Sequence, residues 1–409
     1  MVDISISYPE NGKNEQDSIV FDIKGGEVDG LDKSIVNSLR RVLLSSIPSV
    51  GFRTEMKNTD IKILKNTSPL HNEYILHRIA MIPLYINPEK YKRDLLFKLN
   101  AVVDPKSPVT KITAQDFKVY RIKDGYENDG DEIDINKFSE KEIPENEKVE
   151  IFRPFRGKYY CDITELKASN SDTSSELTLY GVPRVSYAYE DARWQAVSMA
   201  TYSFKRDKEM FNQVLNEKIK LENVSEDEKY SFGKSLFISE SERYFHRDKI
   251  CEPYWYEFKI DSASNYTSKE LFIKANELIV QQLELIKKDL KNISNKEDSR
   301  ISIEKTEENI YKLSIYGNDD TIGNILQNDI SRNMIDDDSE IIVCGYKKVH
   351  PLENIIMFNL SLKQNDKTNE QNVIKLIEVF TESSNNLIDI YNTMTVSYTH
   401  LTLPTKRIV

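Results

Sequence analysis

Apolar and polar positions follow two different periods near the start of the chain. Residues 17–24 alternate between apolar and polar side chains, which is typical of a β-strand. In the stretch LDKSIVNSLRRVLLSSIPSVGF that follows, apolar residues recur as on one face of an amphipathic helix; they are Ile35, Val36, Leu39, Val42 and Leu43. Asp32 or Ser34 can cap the start of this helix, and Pro48 ends it. The pattern predicts a strand followed by a helix.

The next region alternates again and then returns to a helical period. GFRTEMKNTDIKILKNTS predicts a pair of strands. Ser68 and Pro69 resemble an N-cap followed by proline at the first helical position. TSPLHNEYILHRIAMIPL therefore predicts a short helix that ends near Ala80, and it holds Glu73 and Arg78 together with two of the five histidines.

Residues 86–249 are less regular. Strand-like runs such as LLFKLNAVV and ELTLYGV are separated by an acidic segment, Asp124 to Glu150, which predicts a loose, solvated region. A charged helical run follows at Lys205–Lys229. We expect these residues to form a mixed, mainly β domain inserted into the first pattern.

The first pattern resumes after the insertion. Tyr254–Ile260 is predicted to be a strand, and a long helix follows. One side of this helix is apolar, formed by Leu271, Ala275, Leu278, Ile279, Leu283, Ile286 and Leu290. KNISNKEDSR, residues 291–300, is predicted to be a polar linker.

An internal repeat follows this linker. SIVNSLRRVLL, which begins at Ser34, shares the pattern Ser/Thr-Ile-x-Asn-x-Leu with TIGNILQNDI, which begins at Thr321. Each copy follows a strand and precedes a further strand and an amphipathic helix, which in the second copy are IIMFNLSLK and Asn372–Tyr391. Each half has an apolar helical stripe that it cannot bury alone, so we predict that the halves pair within the chain about a pseudo-twofold axis.

Composition and charge disfavour several functions. The chain has 409 residues and a net charge of −11, from 67 acidic and 56 basic side chains. Because binding to phosphates needs a basic surface, the lack of a dense Lys/Arg block disfavours direct DNA binding. The three cysteines include no C-x-x-C pair, which excludes a Cys-rich zinc cage and indicates a reducing, intracellular setting. No signal peptide or membrane-spanning run is expected.

Two dense motifs carry a resemblance to a known family. NSLRRVLLSSIPSV and NTSPLHNEYILHRIAMIPL together resemble the signature of the alpha-type assembly subunits of multisubunit RNA polymerases. That family includes the bacterial alpha subunit and the third-largest subunit of eukaryotic RNA polymerase II. Its pattern is N-x-L-R-R followed by N-T-S, an acidic residue, H-R and I-P-L. YEDARWQAVSMATYSF is similar to part of the family's insert domain.

The second half resembles the small partner subunit of the same family. YGNDDTIGNILQNDISRN and CGYKKVHPLENIIMFNL match its two motifs, and the whole resemblance covers about residues 15 to 390. Cellular enzymes usually have the two parts as separate chains, so the single chain resembles the fused form of large nucleocytoplasmic DNA viruses. A viral origin implies the host cytoplasm, a viral factory or the virion, whereas a cellular origin implies the nucleus.

The predicted fold class is α+β, with two alpha-like dimerisation domains paired as a pseudo-dimer. The first domain comprises residues 1–85 and 250–290 and is interrupted by the insert domain at 86–249. The linker at 291–300 leads to the second, small-partner-like domain at 301–395. The residues expected to carry the internal pairing are Ile35, Leu39, Val42, Leu43, Leu278, Ile279, Ile322, Asn324, Leu326, Ile377 and Phe380.

The resemblance also implies a docking surface for the two largest polymerase subunits. Its residues are Asn37, Arg40, Arg41, Glu73, His77 and Arg78. Other interpretations stay open. An arginine beside an apolar stripe is costly unless it is paired, so Arg40 or Arg41 can form a salt bridge within the chain instead. Asn37 and Asn324 occupy equivalent repeat positions, which favours a structural role for both.

Metal and cofactor binding are not expected. Several cellular relatives carry a cysteine cluster in the inserted domain, and INPEKYKRDLLFKLN and the residues after it have none. Glu73 and His77 have the chemistry for acid–base catalysis. However, no nucleophile motif or phosphate-binding loop accompanies them, so we predict no catalytic residues.

The C-terminal segment VSYTHLTLPTKRIV, residues 396–409, does not fit the preceding helical pattern. Val396 to Thr405 match the translation of a transposase sequencing adapter. We hypothesise that this segment is not encoded by the organism and that the natural end lies after Asn392. Resequencing from a library built without that adapter tests the hypothesis.

These patterns together predict a non-catalytic assembly scaffold of a DNA-directed RNA polymerase. It would pair internally and dock the two largest subunits and smaller polymerase subunits, without a membrane or specific DNA contacts. A free-standing regulatory or adaptor protein with the same paired fold is the alternative. An enzyme that uses Glu73 and His77 is a weaker third hypothesis.

Overall fold

The computed structural model of the chain divides into two compact units. It describes residues 3–7, 17–26, 31–55, 59–104, 107–122, 141–168, 175–248, 251–294, 298–307, 309–335, 338–364 and 368–402. The first unit comprises Met1–Leu43, Met199–Asp261 and Ser268–Val409. The second unit comprises Leu44–Ser198 and Ser262–Thr267.

The strands, in chain order, are β1 (Asp3–Ser7), β2 (Ser18–Lys24), β3 (Pro48–Gly51), β4 (Ile61–Asn66), β5 (Leu95–Val102), β6 (Val109–Thr113), β7 (Lys118–Arg121), β8 (Asp162–Lys167), β9 (Glu176–Gly181), β10 (Arg184–Tyr187), β11 (Val197–Phe204), β12 (Trp255–Ser262), β13 (Ile301–Glu307), β14 (Ile310–Tyr316), β15 (Ile341–Lys348) and β16 (Ile355–Leu362). The helices are α1 (Lys33–Ser45), α2 (Asn72–Ala80), α3 (Glu145–Phe152), α4 (Lys208–Leu221), α5 (Lys229–Glu240), α6 (Ser268–Ser294), α7 (Asp320–Asn333) and α8 (Asn369–Thr402).

The first half of the repeat forms an antiparallel sheet with α1 and α6. The strand order is β1-β2-β12-β11. On β2 the alternate residues Ile19, Phe21 and Ile23 are fully buried, as their spacing predicts. Phe21 lies opposite Phe258 of β12 and meets Phe272 of α6 edge to face, with ring centroids 4.9 Å apart. The predicted strand at 17–24 and the predicted long helix are therefore confirmed.

The second half repeats this plan with β13, β14, β16, β15, α7 and α8. Its strands lie in the order β13-β14-β16-β15. Leu313 of β14 lies opposite Phe358 of β16. Phe358 in turn contacts Phe380 of α8, with ring centroids 5.0 Å apart. The repeated strand–helix–strand–helix order is therefore a property of the fold as well as of the sequence.

The two halves pair with each other inside the first unit. α6 packs along α8, and the hydroxyls of Ser38 on α1 and Tyr391 on α8 share a buried hydrogen bond of 2.6 Å. Both long helices bury the apolar side that neither half covers by itself. The α+β class and the paired arrangement of two related domains in one chain are confirmed.

The second unit is built around the sheet β4-β9-β5-β7, with the smaller pairs β3-β10 and β6-β8. Four phenylalanines form the centre of its core. The ring centroid of Phe97 lies 5.4 Å from Phe52, 6.0 Å from Phe117 and 5.9 Å from Phe152, each pair edge to face. Ile75 and Ile79 of α2 are fully buried against the same core. This packing holds α2 in place.

Two strands follow α1 as predicted, but they do not pair with each other. β3 pairs with β10, and β4 pairs with β9, both antiparallel. Before β4, Asp60 accepts the backbone N–H of Arg53 at 2.7 Å and forms a buried ion pair with Arg184. Because strand partners are chosen by non-local packing, two adjacent strand-like runs need not pair with each other.

The start of α2 also differs from the prediction. The helix begins at Asn72, with His71 at the N-cap position and no side-chain capping bond, and it ends at Ala80 as expected. Ser68 donates its backbone N–H to the Asn66 side chain at 2.9 Å. This local turn delays the helix because the asparagine side chain competes for backbone groups that a helix would use.

Three further predictions need correction. The acidic segment is not loose throughout, since Glu145–Phe152 form α3, whose Ile151 and Phe152 are buried; residues 123–140 lie outside the described residues. The charged run at Lys205–Lys229 is helical only over α4, because Asn223 adopts a left-handed φ of 50° just after this helix, and α5 begins at the last residue of the run. The linker starts later than predicted, since α6 continues to Ser294.

The C-terminal segment was predicted not to continue the helix, and this is wrong for its first part. α8 runs to Thr402. The sequence from Asn392 contains no glycine or proline before Pro404, so nothing in it breaks the helix earlier. Residues 403–409 lie outside the described residues, and the hypothesis about the origin of 396–409 stays a prediction.

The predicted domain boundaries stay a prediction, and the compact units divide the chain at other residues. The second unit begins at Leu44 instead of residue 86 and ends its main segment at Ser198 instead of residue 249. α4 and α5 therefore belong to the first unit. A change in sequence regularity does not mark where contacts between elements become sparse, which is what separates compact units.

Candidate functional site

One side of α2 is exposed and chemically mixed. Helical spacing of three, four and seven places Tyr74, His77, Arg78 and Met81 along this side, with Glu73 beside them. Tyr74 is 68% exposed and Met81 is 56% exposed. We call these five residues the α2 face. Tyr74 and Met81 therefore add exposed apolar area to a charged surface.

The α2 face includes three of the predicted docking residues and two that the sequence analysis missed. Glu73, His77 and Arg78 were predicted, and the structure exposes all three. Tyr74 and Met81 were missed because the motif that identified the docking residues does not include them. Their spacing from the buried Ile75 and Ile79 places them on the opposite side, and this signal was present in the sequence.

Arg78 is held in position by the backbone of β8. Its Nη2 and Nε donate to the carbonyl oxygen of Asp162 at 3.0 and 3.3 Å. A guanidinium has five N–H donors, so one carbonyl leaves most of its capacity available. Arg78 also lines a groove of about 280 Å³ with Lys111 and Lys167. Asp162 and Glu165 line the same groove, so the groove carries charges of both signs around the fixed arginine.

His77 lies close enough to Asp191 to affect it. A hydrogen bond from Arg193 is the main cause that lowers the pKa of Asp191, and His77 adds to the lowering. Among the described residues, no hydrogen bond joins the side chains of His77 and Glu73. Acid–base catalysis needs such a partner within hydrogen-bond reach, so this geometry gives the enzyme hypothesis no support.

Arg193 and Trp194, which lie in the sequence YEDARWQAVSMATYSF, have structural roles. Asp191 accepts the backbone N–H of Arg193 at 2.9 Å, which begins a 3-10 turn that ends at Trp194. Trp194 is 2% exposed. A Cβ added at Gly51 would lie 3.0 Å from Trp194 Nε1, so only glycine lets β3 approach this ring.

Arg40 and Arg41, on α1 of the first unit, have different surroundings. Arg40 Nε donates to the Asn37 side chain at 3.0 Å. Arg41 reaches α7 instead, where Nε donates to Thr321 Oγ1 at 2.9 Å and Nη2 donates to Asp319 Oδ2 at 3.1 Å. These contacts favour the alternative of an ion pair within the chain for Arg41, and docking by Arg40 and Arg41 stays a prediction.

The contact of Arg41 is one of a reciprocal pair. Asp319 caps α7 by accepting the Thr321 N–H at 3.0 Å, and Asp32 caps α1 by accepting the Ser34 N–H at 2.5 Å. By repeat position Asn328 corresponds to Arg41. Its Nδ2 lies 3.4 Å from Asp32 Oδ1. The capping aspartate of each helix is therefore contacted by the residue at the equivalent repeat position of the other helix, as an isologous interface requires.

The residues predicted for internal pairing lie in the first unit. Nine are buried, namely Ile35, Leu39, Val42, Leu43, Ile279, Ile322, Leu326, Ile377 and Phe380. Leu278 and Asn324 are partly exposed. Asn37 and Asn324 occupy equivalent helical positions and are both partly exposed, and their roles stay a prediction. The partners in the cap contacts and the bond between Ser38 and Tyr391 could not be predicted from the sequence, because they depend on how the halves meet.

Within the described part of the chain, no cluster of three or more histidine, cysteine or acidic side chains is arranged to hold a metal ion. None of the helices searched among the described residues is long and apolar enough to cross a membrane. The cysteines Cys161, Cys251 and Cys344 are free thiols. The expected absence of a cofactor stays a prediction.

Comparison with known protein families gives two matches. Residues 27–283 and residues 311–397 each match the RNA polymerase Rpb3/Rpb11 dimerisation domain. The two matches contain the first and second copies of the repeat, respectively. These matches rest on the sequence, whereas the pairing of the two halves is observed in the structure.

Curated relatives match over shorter segments. The DNA-directed RNA polymerases I and III subunit rpac1 of Dictyostelium discoideum is 33% identical over 103 residues, 25% of each chain. The DNA-directed RNA polymerase subunit Rpo3 of Thermococcus kodakarensis is 38% identical over 69 residues, 17% of this chain and 24% of the relative. That of Pyrobaculum islandicum is 26% identical over 193 residues, 47% of this chain and 60% of the relative. Each of these matches spans less than two thirds of the relative.

Proposed function

Because the chain belongs to the family of the RNA polymerase Rpb3/Rpb11 dimerisation domain, we propose that it is a non-catalytic assembly subunit of a DNA-directed RNA polymerase. In this role it holds other subunits in register and performs no nucleotidyl transfer itself. The curated relatives described above are polymerase subunits by name, which supports this assignment.

The observation that carries the proposal is the reciprocal pairing of the two dimerisation domains in one chain. Arg41 meets the α7 cap at Asp319, and Asn328 meets the α1 cap at Asp32. A chain that supplies both members of the pair needs no second chain to complete the dimer. We propose that it replaces an alpha-type subunit and its small partner, in the fused form that resembles large nucleocytoplasmic DNA viruses.

We assign the docking of the two largest polymerase subunits to the α2 face and, separately, to Asn37 and Arg40 on α1. Arg41, which bonds to Asp319 and Thr321, is assigned to the internal pairing. Tyr74 and Met81 supply apolar area, and Arg78 supplies charge from a fixed position. Aromatic and arginine side chains are the groups that dominate binding energy in protein interfaces. The protein acts in the host cytoplasm, a viral factory or the virion if it is viral, and in the nucleus if it is cellular.

Co-expression with the two largest polymerase subunits encoded by the same genome tests the assignment. Affinity purification of the full chain should recover both subunits in stoichiometric amounts. A free-standing adaptor would be recovered without them, and that result would overturn the proposal. Nucleotidyl transfer by the isolated chain would contradict its non-catalytic role.

A set of variants tests the α2 face. Tyr74→Ser, Arg78→Ala and Met81→Ser together should leave the unfolding midpoint near that of the wild type and reduce recovery of the large subunits by at least about tenfold. Tyr230→Ser with Ile238→Ser is a matched control, because these α5 residues are 82% and 75% exposed. Equal recovery by both sets of variants would refute the docking assignment.

A further inference from the structure

A cavity of about 390 Å³ opens between α1, α7 and α8 in the first unit. Ile35 and Leu387 belong to its apolar wall, and Ser34 and Asp329 belong to its polar wall. It lies beside the cap of α1, at one of the two places where the paired halves exchange cap contacts. None of the functions discussed above uses it.

The cavity lies at a point where the two halves of the pseudo-dimer differ. On the other side, the guanidinium of Arg41 bonds to Asp319 and Thr321. The residues equivalent to these two are Asp32 and Ser34, and both line the cavity. Asn328, the equivalent of Arg41, is shorter by several atoms and comes only within 3.4 Å of Asp32. The cavity therefore occupies the region that a guanidinium fills on the other side.

Two buried polar atoms in the cavity wall have no hydrogen-bond partner among the described residues. The first is Ser34 Oγ, in a residue that is 4% exposed. Its equivalent, Thr321 Oγ1, accepts a hydrogen bond from Arg41. The second is Oδ2 of Asp329, in a residue that is 7% exposed. Buried acceptors without donors are unfavourable, so both atoms point to a donor group.

The environment of Asp329 is consistent with this interpretation. Its Oδ1 accepts from Asn333 Nδ2 at 2.7 Å. Burial raises the pKa of Asp329, although nearby Ser383, Asn333 and Asn386 act against the rise. Neither Ser383 nor Asn386 makes a hydrogen bond of ordinary geometry with Oδ2. A cation at Oδ2 would favour the charged carboxylate and offset the cost of its burial.

The net charge of the lining also favours a cation. The carboxylates of Asp32, Asp329 and Asp389 line the cavity, and Arg332 supplies a guanidinium. Arg332 is already engaged, because its Nη2 donates to Asp248 at 2.9 Å. Its Nη1 lies 3.9 Å from Asp32, beyond hydrogen-bond distance.

We propose that this cavity binds a guanidinium or ammonium group carried on an aliphatic stem, with Ser34 Oγ and Asp329 Oδ2 as acceptors. The stem would lie against Ile35 and Leu387. A free guanidine or amine and an arginine or lysine side chain of a partner protein present the same chemistry. The proposal is independent of the assignment to a polymerase.

Calorimetric titration of the full chain tests the chemistry with n-butylguanidinium and its neutral isostere n-butylurea. The cation should bind saturably and at least about tenfold more tightly than the urea, since its hydrogen bonds to a carboxylate are charge-assisted. N-acetyl-arginine methylamide separates the two sources. Tighter binding than n-butylguanidinium assigns the site to a side chain of a partner protein, and weaker binding assigns it to a free ligand.

Asn328→Arg supplies the missing guanidinium from the chain itself and should abolish binding of n-butylguanidinium. Gln327→Arg is the matched control, because it adds the same charge to the same helix at a residue that does not line the cavity. Ser34→Ala provides a second, gentler variant and should weaken binding several-fold while the unfolding midpoint is kept. Three results would each overturn the proposal: no saturable binding to the wild type, equal affinity for n-butylurea, or unchanged binding by both Asn328→Arg and Ser34→Ala.

Discussion

The helices α1 and α7 occupy equivalent places in the paired halves and differ in polarity or charge at two neighbouring positions. Both begin with an aspartate cap, and both bury a leucine at the same position, Leu39 in α1 and Leu326 in α7. The next two repeat positions that face the partner are Arg41 and Val42 in α1, but Asn328 and Asp329 in α7. Leu39 and Leu326 are retained as an apolar pair, whereas Arg41 and Val42 correspond to the polar residues Asn328 and Asp329.

This difference separates two tasks of the interface. The buried leucines contribute favourable energy without specifying direction, because burial of apolar area is worth roughly 25 cal/mol per Å². The cap contacts orient the two halves relative to each other, since the guanidinium of an arginine must bond to a particular carboxylate. At the cap of α7 the guanidinium of Arg41 bonds to Asp319, whereas at the cap of α1 a cavity lies beside Asn328. Four sets of variants can break or sharpen this comparison.

Val42→Asp should have the largest effect. It places at the α1 position the residue that α7 carries, but Val42 is only 3% exposed. An uncompensated buried carboxylate costs about 3–5 kcal/mol of stability. Urea unfolding at neutral pH measures the loss, and Val42→Asn, which adds no charge, should lose less. A loss for Val42→Asp below about 1 kcal/mol would mean that the two positions have equivalent environments.

Leu39→Ala and Leu326→Ala test whether the two halves contribute equally. Both leucines are fully buried. Each truncation should cost about 2–5 kcal/mol, because it removes apolar contacts and leaves a cavity. Urea unfolding of the two variants should give similar losses. If only one variant is destabilised, the pairing is less symmetric than the repeat implies.

Arg41→Ala should have a smaller effect, about 1 kcal/mol or less, because its ion pair is partly exposed to solvent. The side chains of Arg41 and Asp319 are 40% and 44% exposed. A double-mutant cycle with Asp319→Ala isolates the pair, and Asn328→Ala is the matched change on the other side. A coupling free energy above about 2 kcal/mol would show that the cap contact is a main source of stability.

The smallest effect should be a dependence on pH at Asp329. Burial raises its pKa in the folded state, so the folded protein binds this proton more tightly than the unfolded chain. The resulting stability is full below the ordinary pKa of an aspartate and is lost as the pH rises through the raised value. Asp329→Asn removes this contribution, so the stability of the variant relative to the wild type should increase as the pH rises from about 4 to about 7.

Urea unfolding at several pH values measures this difference. Asp389→Asn is the control, because Asp389 is an exposed carboxylate that lines the same cavity. An Asp329→Asn variant whose stability follows that of the wild type at every pH would contradict the prediction.

The elements that the sequence predicted well are those whose pattern is long and local. α1 was expected to begin near Asp32 or Ser34 and to end before Pro48, and it comprises Lys33–Ser45. The apolar stripe of α6 is fully buried at all predicted positions except Leu278. Such patterns are decided within one element, because the same residues form the helix and its buried side.

The candidate site was predicted only in part, because part of it is not decided within one element. Glu73, His77 and Arg78 were identified by their motif, but the role of Tyr74 and Met81 depends on which side of α2 the core of the second unit covers. The partners of β3 and β4 depend on distant strands, and no periodicity within them specifies β10 or β9.

The sequence by itself determined the repeat, the order of strands and helices within each half and the apolar sides that had to be covered. It did so because periodicity and capping act over a few neighbouring residues. Only the tertiary structure decided that Arg41 meets the cap of α7 and that Asn328 leaves a cavity at the cap of α1. Those contacts join residues far apart in the chain, and their geometry is fixed by the packing of whole helices against each other.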